Sequence, residues 1–202
     1  MSHALSVTAA AEARRSIRKY EPEPIAEADL REILRVAGLA PSAWNIQPWR
    51  VAVVREPSLK SALQAAAYGQ PQVGSAPAVF VVYSDMADAL LKLEDTVHPG
   101  MSADATSKHL ESVRGIFGGF PPEGRESWAS GQANIFLGFL LLSIKAHGYD
   151  SSPMLGFQPP EVKALLGLPA HASIQALVAV GKGTEPGFPH HRHTQERFVS
   201  WR

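Results

Sequence analysis

A mixed helix-and-sheet domain built around one buried helix is what this sequence predicts, and three features predict it. The first is the stretch 128–147, W-A-S-G-Q-A-N-I-F-L-G-F-L-L-L-S-I-K-A-H, where only Gly138 and Ser143 interrupt the apolar run from Ile135 to Ile144. A helix apolar on every side is a buried helix. The run is about half the roughly 20 residues a bilayer requires, so it reads as a core element and not a membrane span. The second feature is a set of short apolar segments, residues 49–54, 78–83 and 173–180, which read as strands. The third is an amphipathic helix over residues 26–39, with Leu30, Ile33, Leu34 and Ala37 at i, i+3, i+4 and i+7.

Taken in order, residues 7–13 are alanine-rich and predict a short helix leading into R-R-S-I-R-K-Y. Pro22 and Pro24 keep the chain beyond it extended. Side chains alternate in extended backbone, so Arg14, Ser16 and Arg18 face one side while Arg15 and Ile17 face the other. Two guanidinium forks and a hydroxyl on one face suit a phosphate; the same residues also read as a solvated basic patch. In the helix at 26–39, Glu27 and Asp29 precede Arg31 and Arg35, the favourable order for the helix dipole, and Pro41 ends it. The loop A-P-S-A-W-N-I-Q-P-W at 40–49 offers Asn45 and Gln47 to a heterocycle edge, or is a turn using its Ser and Asn locally. Residues 49–54 and 78–83 both look central in a sheet, with a helix over 57–67 between them. Gln70 and Gln72 flank a proline in a loop, where glutamines usually face water. Helices follow at 86–93 and 103–117, the latter with Leu110, Val113 and Phe117 on one face. Residues 118–124 read as a mobile loop. Gly148 supplies a left-handed stop to the central helix, and residues 151–156 form a loop whose backbone can approach a ligand. Pro160 opens a helix to residue 166. Residues 183–202 form a polar, proline-containing arm with Phe198 and Trp201 as its anchors, which either frays or wraps another surface.

Composition narrows the function. With 202 residues and 45% apolar content, one domain with a sizeable core is expected. Lys plus Arg equals Asp plus Glu at 19 each, so no whole-protein field attracts nucleic acid or anionic membrane. There is no cysteine, which removes disulfides, thiolate nucleophiles and thiolate metal sites; redox chemistry would need a borrowed cofactor. A basic leader followed by a long apolar block is missing from the first residues, so a cytoplasmic location is expected. The chain carries no P-loop, no G-x-G-x-x-G after a strand, no H-E-x-x-H and no G-x-S-x-G. His190, His191 and His193 lie in a loop without a second ligand group, so no metal site is expected.

Five segments in register carry a resemblance: R-R-S-I-R at 14–18, A-P-S-A-W-N-I-Q-P-W at 40–49, Q-x-Q-V-x-x-A-P at 70–77, S-S-P-M-L-G-F at 151–157 and R-H-T-Q-E-R-F-V-S-W at 192–201. Together they resemble the FMN-dependent nitroreductase family over nearly the whole chain. The resemblance implies an α+β fold with a central, mainly antiparallel sheet and an intertwined homodimer holding FMN between its subunits. It also implies that Arg14, Arg15, Ser16 and Arg18 reach the flavin phosphate and polar edge, and that Ser42 and Asn45 border the flavin and substrate pocket. Gln70 and Gln72 would contact the ribityl chain and pyrimidine edge. Pro153, Met154, Leu155 and Gly156 would meet the ring near N5, and His190 and Arg192 the phosphate. Two positions depart from the family pattern: Gln72 stands where some members have Lys, and Leu155 where an acidic residue is common. The implied chemistry is ping-pong hydride transfer from NAD(P)H through FMN to a nitroaromatic, a quinone or a similar flat electrophile. No obligatory protein acid or base is required, and Arg18 is the candidate for balancing charge on the ring. Non-turnover flavin storage or sensing, and an oxidase or dehalogenase type of chemistry, are the alternatives.

Overall fold

The computed structural model describes residues 4–202, so the first three residues of the N-terminal segment lie outside the described residues. Four strands, β1 (Trp49–Val54), β2 (Ala78–Ser84), β3 (Asp150–Met154) and β4 (Ser173–Gly181), form one antiparallel sheet in the order β1-β2-β4-β3. Alternation along β2 and β4 divides the core into two layers. Phe80, Val82, Ala176, Val178 and Val180 face helices α2 (Glu27–Ala37) and α7 (Pro122–Ala146). Val79, Val81, Leu177 and Ala179 face α3 (Pro57–Ala66) and α8 (Pro159–Leu166). The remaining helices are α1 (Val7–Ala13), α4 (Pro71–Ser75), α5 (Met86–Leu91) and α6 (Ala103–Gly118).

The predicted central helix is α7, and it is longer than the apolar run that announces it. Pro122 occupies the first turn, where its missing N–H is no loss and its fixed φ suits a helix. Residues 122–124 are therefore helical, and only 119–121 link α6 to α7. Gly148 at φ 81° ends the helix as expected. Burial on every side is not met within one chain: Ala129, Ala133, Phe136, Leu140 and Ile144 lie in the core, while Ile135 and Phe139 are each 41% exposed.

Three other expectations change. β1 is an edge strand and not a central one; its apolar side is covered by α7, where Trp49 stacks on Phe136 at 5.3 Å between ring centroids. Residues 151–156 are not all loop, because 150–154 pair with β4. Pro153 hid that strand, since proline lacks the ladder donor and is tolerated only where a sheet has an edge. β3 is such an edge. Phe198 and Trp201 anchor nothing within the chain, being 71% and 87% exposed.

Near its N-terminus α7 carries a buried carboxylate. Glu126 accepts from the Ser84 hydroxyl at the end of β2 and from the Met86 backbone N–H at 3.0 Å, tying the start of α5 to the sheet. Ser84→Ala removes one donor to a buried carboxylate, which costs about 1.5–3 kcal/mol. The urea midpoint is expected to fall at unchanged m-value; an unshifted midpoint would show that the Glu126 contact contributes nothing to stability.

Candidate functional site

Residues 14–20 leave α1 in extended conformation and are hydrogen-bonded on both sides. On one side the Ile17 N–H donates to Ser151 O at 3.1 Å, joining the segment to the free edge of β3. On the other, the chain that follows β4 runs antiparallel to it. The Glu21 N–H donates to Lys182 O at 2.8 Å, Thr184 N–H to Lys19 O at 3.0 Å and Arg18 N–H to the Glu185 carboxylate at 3.0 Å. The Tyr20 hydroxyl donates to Ile17 O at 2.5 Å, with Ala179 O at 3.1 Å, and burial first, then Asp150, raises its pKa. Ile17 turns into the protein and is 2% exposed, whereas Ser16 and Arg18 remain accessible, as alternation requires.

This ladder brings Arg14, Arg15, Ser16, Arg18, His190 and Arg192 around one cavity of about 170 Å³, together with Phe188 and Pro189. Arg15 is in the same cavity despite its place on the opposite face of the alternation; its Nη1 donates back to Glu12 O at 2.6 Å and Arg14 O at 2.9 Å. None of the four guanidinium groups forms an ion pair with a carboxylate among the described residues. Burial, then the like charges of Arg192 and Arg15, lower the Arg14 pKa. Converging forks with no ion-paired carboxylate, beside a hydroxyl, fit a phosphate monoester. Phe188 escaped the sequence reading because a lone aromatic in a polar tail carries no periodic signal.

A second cluster lies at the far end of β3. The Gln70 amide donates to Gly156 O at 2.6 Å, and Gln72 Nε2 contacts Gln70 Oε1 and Met154 Sδ, both at 3.1 Å. Gln72 lies in helix α4 and not in the expected loop, with Gln70 at the cap, and is 5% exposed, so it does not face water. Leu155 projects outward and Met154 is buried in the layer under α3 and α8. Strand β3, with Pro153 in its register opposite Val178, thus carries the cradle at one end and the glutamine cluster at the other.

Ser42 and Asn45 join neither cluster within one chain. Ser42 Oγ accepts from the Gln47 N–H at 3.0 Å, Asn45 Nδ2 donates to Thr96 O at 3.2 Å, and Gln132 of α7 accepts from the Ala43 N–H at 3.0 Å. Trp44, Asn45 and Gln47 all have positive φ, at 52°, 55° and 47°. Gln132, which holds this strained loop, gave no sequence signal as a single glutamine inside an apolar helix.

Fold and clusters define a class: an α+β protein with a guanidinium-lined cavity and an amide-lined wall along one sheet edge. Residues 11–182 match the Nitroreductase family, and the chain belongs to it. It is 50% identical over 198 residues to the NADH dehydrogenase of Thermus thermophilus, covering 98% of this chain and 97% of that protein. It is 30% identical over 196 residues, 94% of each chain, to YdgI of Bacillus subtilis, which carries the name of an NAD(P)H nitroreductase. A protein of Exiguobacterium sibiricum solved in complex with FMN superposes with a TM-score of 0.91 at 27% identity, over 100% of this chain and 99% of the other.

An anion bound in the cradle stabilises the folded state by RT ln(1 + [L]/Kd). Phosphate is therefore expected to raise the thermal midpoint of flavin-free protein above that in chloride of equal ionic strength. Arg14→Ala should abolish the increment, and an increment unchanged in that variant would place the phosphate elsewhere.

Proposed function

We propose that the protein is an FMN-dependent oxidoreductase in which Arg14, Arg15, Ser16, Arg18, His190 and Arg192 hold the flavin phosphate, and Gln70, Gln72 and residues 153–156 border the ring. The convergence of four guanidinium groups without a carboxylate partner carries this reading. FMN, when bound, supplies hydride transfer between NAD(P)H and a flat electrophilic acceptor such as a nitroaromatic or a quinone, the two taking turns at one face. The chain's own residues bind and orient. Gln70, fixed to Gly156 O, keeps the end of β3 in one position, and Gly156 leaves the backbone there open to close approach. A Cβ at that glycine would sit 3.3 Å from Gln70 Nε2. Arg18 contributes a permanent positive charge at the polar edge. Leu155, 78% exposed, offers an apolar surface where the family often has an acid, which favours uncharged acceptors.

The functional unit in this reading is a homodimer with each flavin touching both chains. The half-exposed Ile135 and Phe139 favour it, as does an apolar groove of about 470 Å³ between α1, α2 and α7, lined by Leu5, Val7, Val36, Leu39, Phe139 and Leu142. A second copy would cover that surface as an obligate interface does. It would also bring a Ser42–Asn45 loop to the border of the flavin and substrate pocket, which lacks one within its own chain. The last part of the polar arm, residues 193–202, with Phe198 and Trp201 exposed, is free to embrace the partner.

The purified protein is expected to be yellow and to bleach on anaerobic addition of NAD(P)H; colourless protein that takes up no added FMN would refute the flavin reading. In titrations of flavin-free protein, Arg14→Ala and Arg192→Ala should each weaken FMN binding by about 1.5–3 kcal/mol, and Ser16→Ala by about 1 kcal/mol. Sedimentation of the FMN-bound protein tests the assembly: a dimer whose thermal stability rises with concentration is expected, and an active species at the monomer mass of 21.8 kDa would exclude the shared site.

A further inference from the structure

The cradle has two halves from opposite ends of the chain, residues 14–18 and residues 188–192; the second reaches the first through residues 182–187, and His190 Nε2 lies 3.3 Å from Ala11 O. That connecting segment contains Gly187 at φ 69°, a left-handed conformation that side chains other than Asn and Asp rarely adopt. Space excludes a side chain there as well. A Cβ at Gly187 would lie 2.8 Å from Arg15 Cβ and 2.8 Å from Ile17 Cδ1. Neither neighbour can retreat cheaply. Ile17 is buried, its N–H is bound to Ser151 O, and on its other side a Cβ at Gly183 would come within 2.9 Å of its Cγ2. Arg15 is held by its own fork on Glu12 O and Arg14 O. Ile17 is thus gripped between two glycine positions, and its sequence neighbours Ser16 and Arg18 line the cradle.

We infer that Gly187 is a positioning residue: it lets the 188–192 segment close onto the back of Arg15 and Ile17, so that the His190 and Arg192 side chains share one anion with Arg14, Ser16 and Arg18. This rests on the flavin reading above and deepens it, because it assigns the phosphate-dependent part of flavin affinity to a residue that touches no ligand. The glutamine cluster is anchored separately, through Gln70 and Gly156, so widening the cradle should leave recognition of the ring intact.

The test is titration of flavin-free wild type and Gly187→Ala with FMN and with riboflavin, which lacks the phosphate. Gly187→Ala is expected to lose FMN affinity by about tenfold or more, the equivalent of one hydrogen bond to a charged group, with riboflavin affinity unchanged. In Gly187→Ala/Ile17→Val, which removes the crowding Cδ1, part of the FMN affinity should return. Equal losses for both flavins, or an unaltered FMN affinity, would overturn the inference while leaving the flavin reading in place. If both variants bind neither flavin, Gly187 is a folding residue and the inference is likewise overturned. Wild type that takes up no FMN would overturn the inference and the flavin reading together.

Discussion

A 25-residue helix with a four-stranded sheet to lie on is the constraint from which the rest of this structure follows. The sheet can cover one side of α7, and α1 and α2 flank it; the side that carries Gly131, Ile135, Gly138 and Phe139 faces outward. A Cβ at Gly131 or Gly138 would meet no neighbouring atom, so these glycines leave a shallow surface on which another element can approach closely. The ends of the same helix do local work. Glu126 near its start fixes the turn from β2 into α5, and Gly148 beyond its end turns the chain directly into β3, the strand that carries both side-chain clusters.

The cradle itself opposes folding in the unliganded chain. Burial first, and then the like charges of Arg192 and Arg15, lower the Arg14 pKa, and no carboxylate among the described residues offsets these charges by an ion pair. They stay together because neutral groups hold the backbone beneath them. Main-chain hydrogen bonds from residues 17–21 and 184 bind the two segments to each other and to β3, and the Tyr20 hydroxyl bridges Ile17 O and Ala179 O. Electrostatic strain of this kind, stored on a rigid scaffold, favours an anion over an empty site.

How much of this was legible in the sequence depended on whether a signal was local. The helix at 26–39, the strands at 78–83 and 173–180 and the stop at Gly148 were read nearly to the residue, because periodicity and a left-handed glycine are properties of adjacent residues. β3 was missed because two serines and a proline have no strand propensity and pairing with β4 alone makes them a strand. The first turn of α7 was missed because Gly119, Pro121, Pro122 and Gly124 read as loop punctuation, although a proline at the first helical position is compatible with either. Of the site, alternation in R-R-S-I-R put Arg14, Ser16 and Arg18 on one face, but nothing local joined them to Arg192, more than 170 positions later. Motif resemblance supplies that link; Gly187, Phe188 and Gln132 belong to none of the five segments, and only their contacts in the fold mark them.

The loop at 42–47 shows why the two halves of the proposed site can be made independently. Three non-glycine residues at positive φ cost on the order of 1–3 kcal/mol each and persist only where the surroundings over-determine them. Here they do: Gln132 accepts from Ala43, Asn45 donates to Thr96, the Ser42 hydroxyl accepts from Gln47, and Trp44 packs edge-on against Phe117 at 5.9 Å. All of these partners lie in the same chain, so the loop reaches its strained shape without any contribution from the cradle. The cradle is likewise complete in its backbone contacts. In the proposed homodimer, two preformed surfaces that do not meet each other within one chain would be joined by docking a second copy as a rigid body, with little ordering of loops to oppose association.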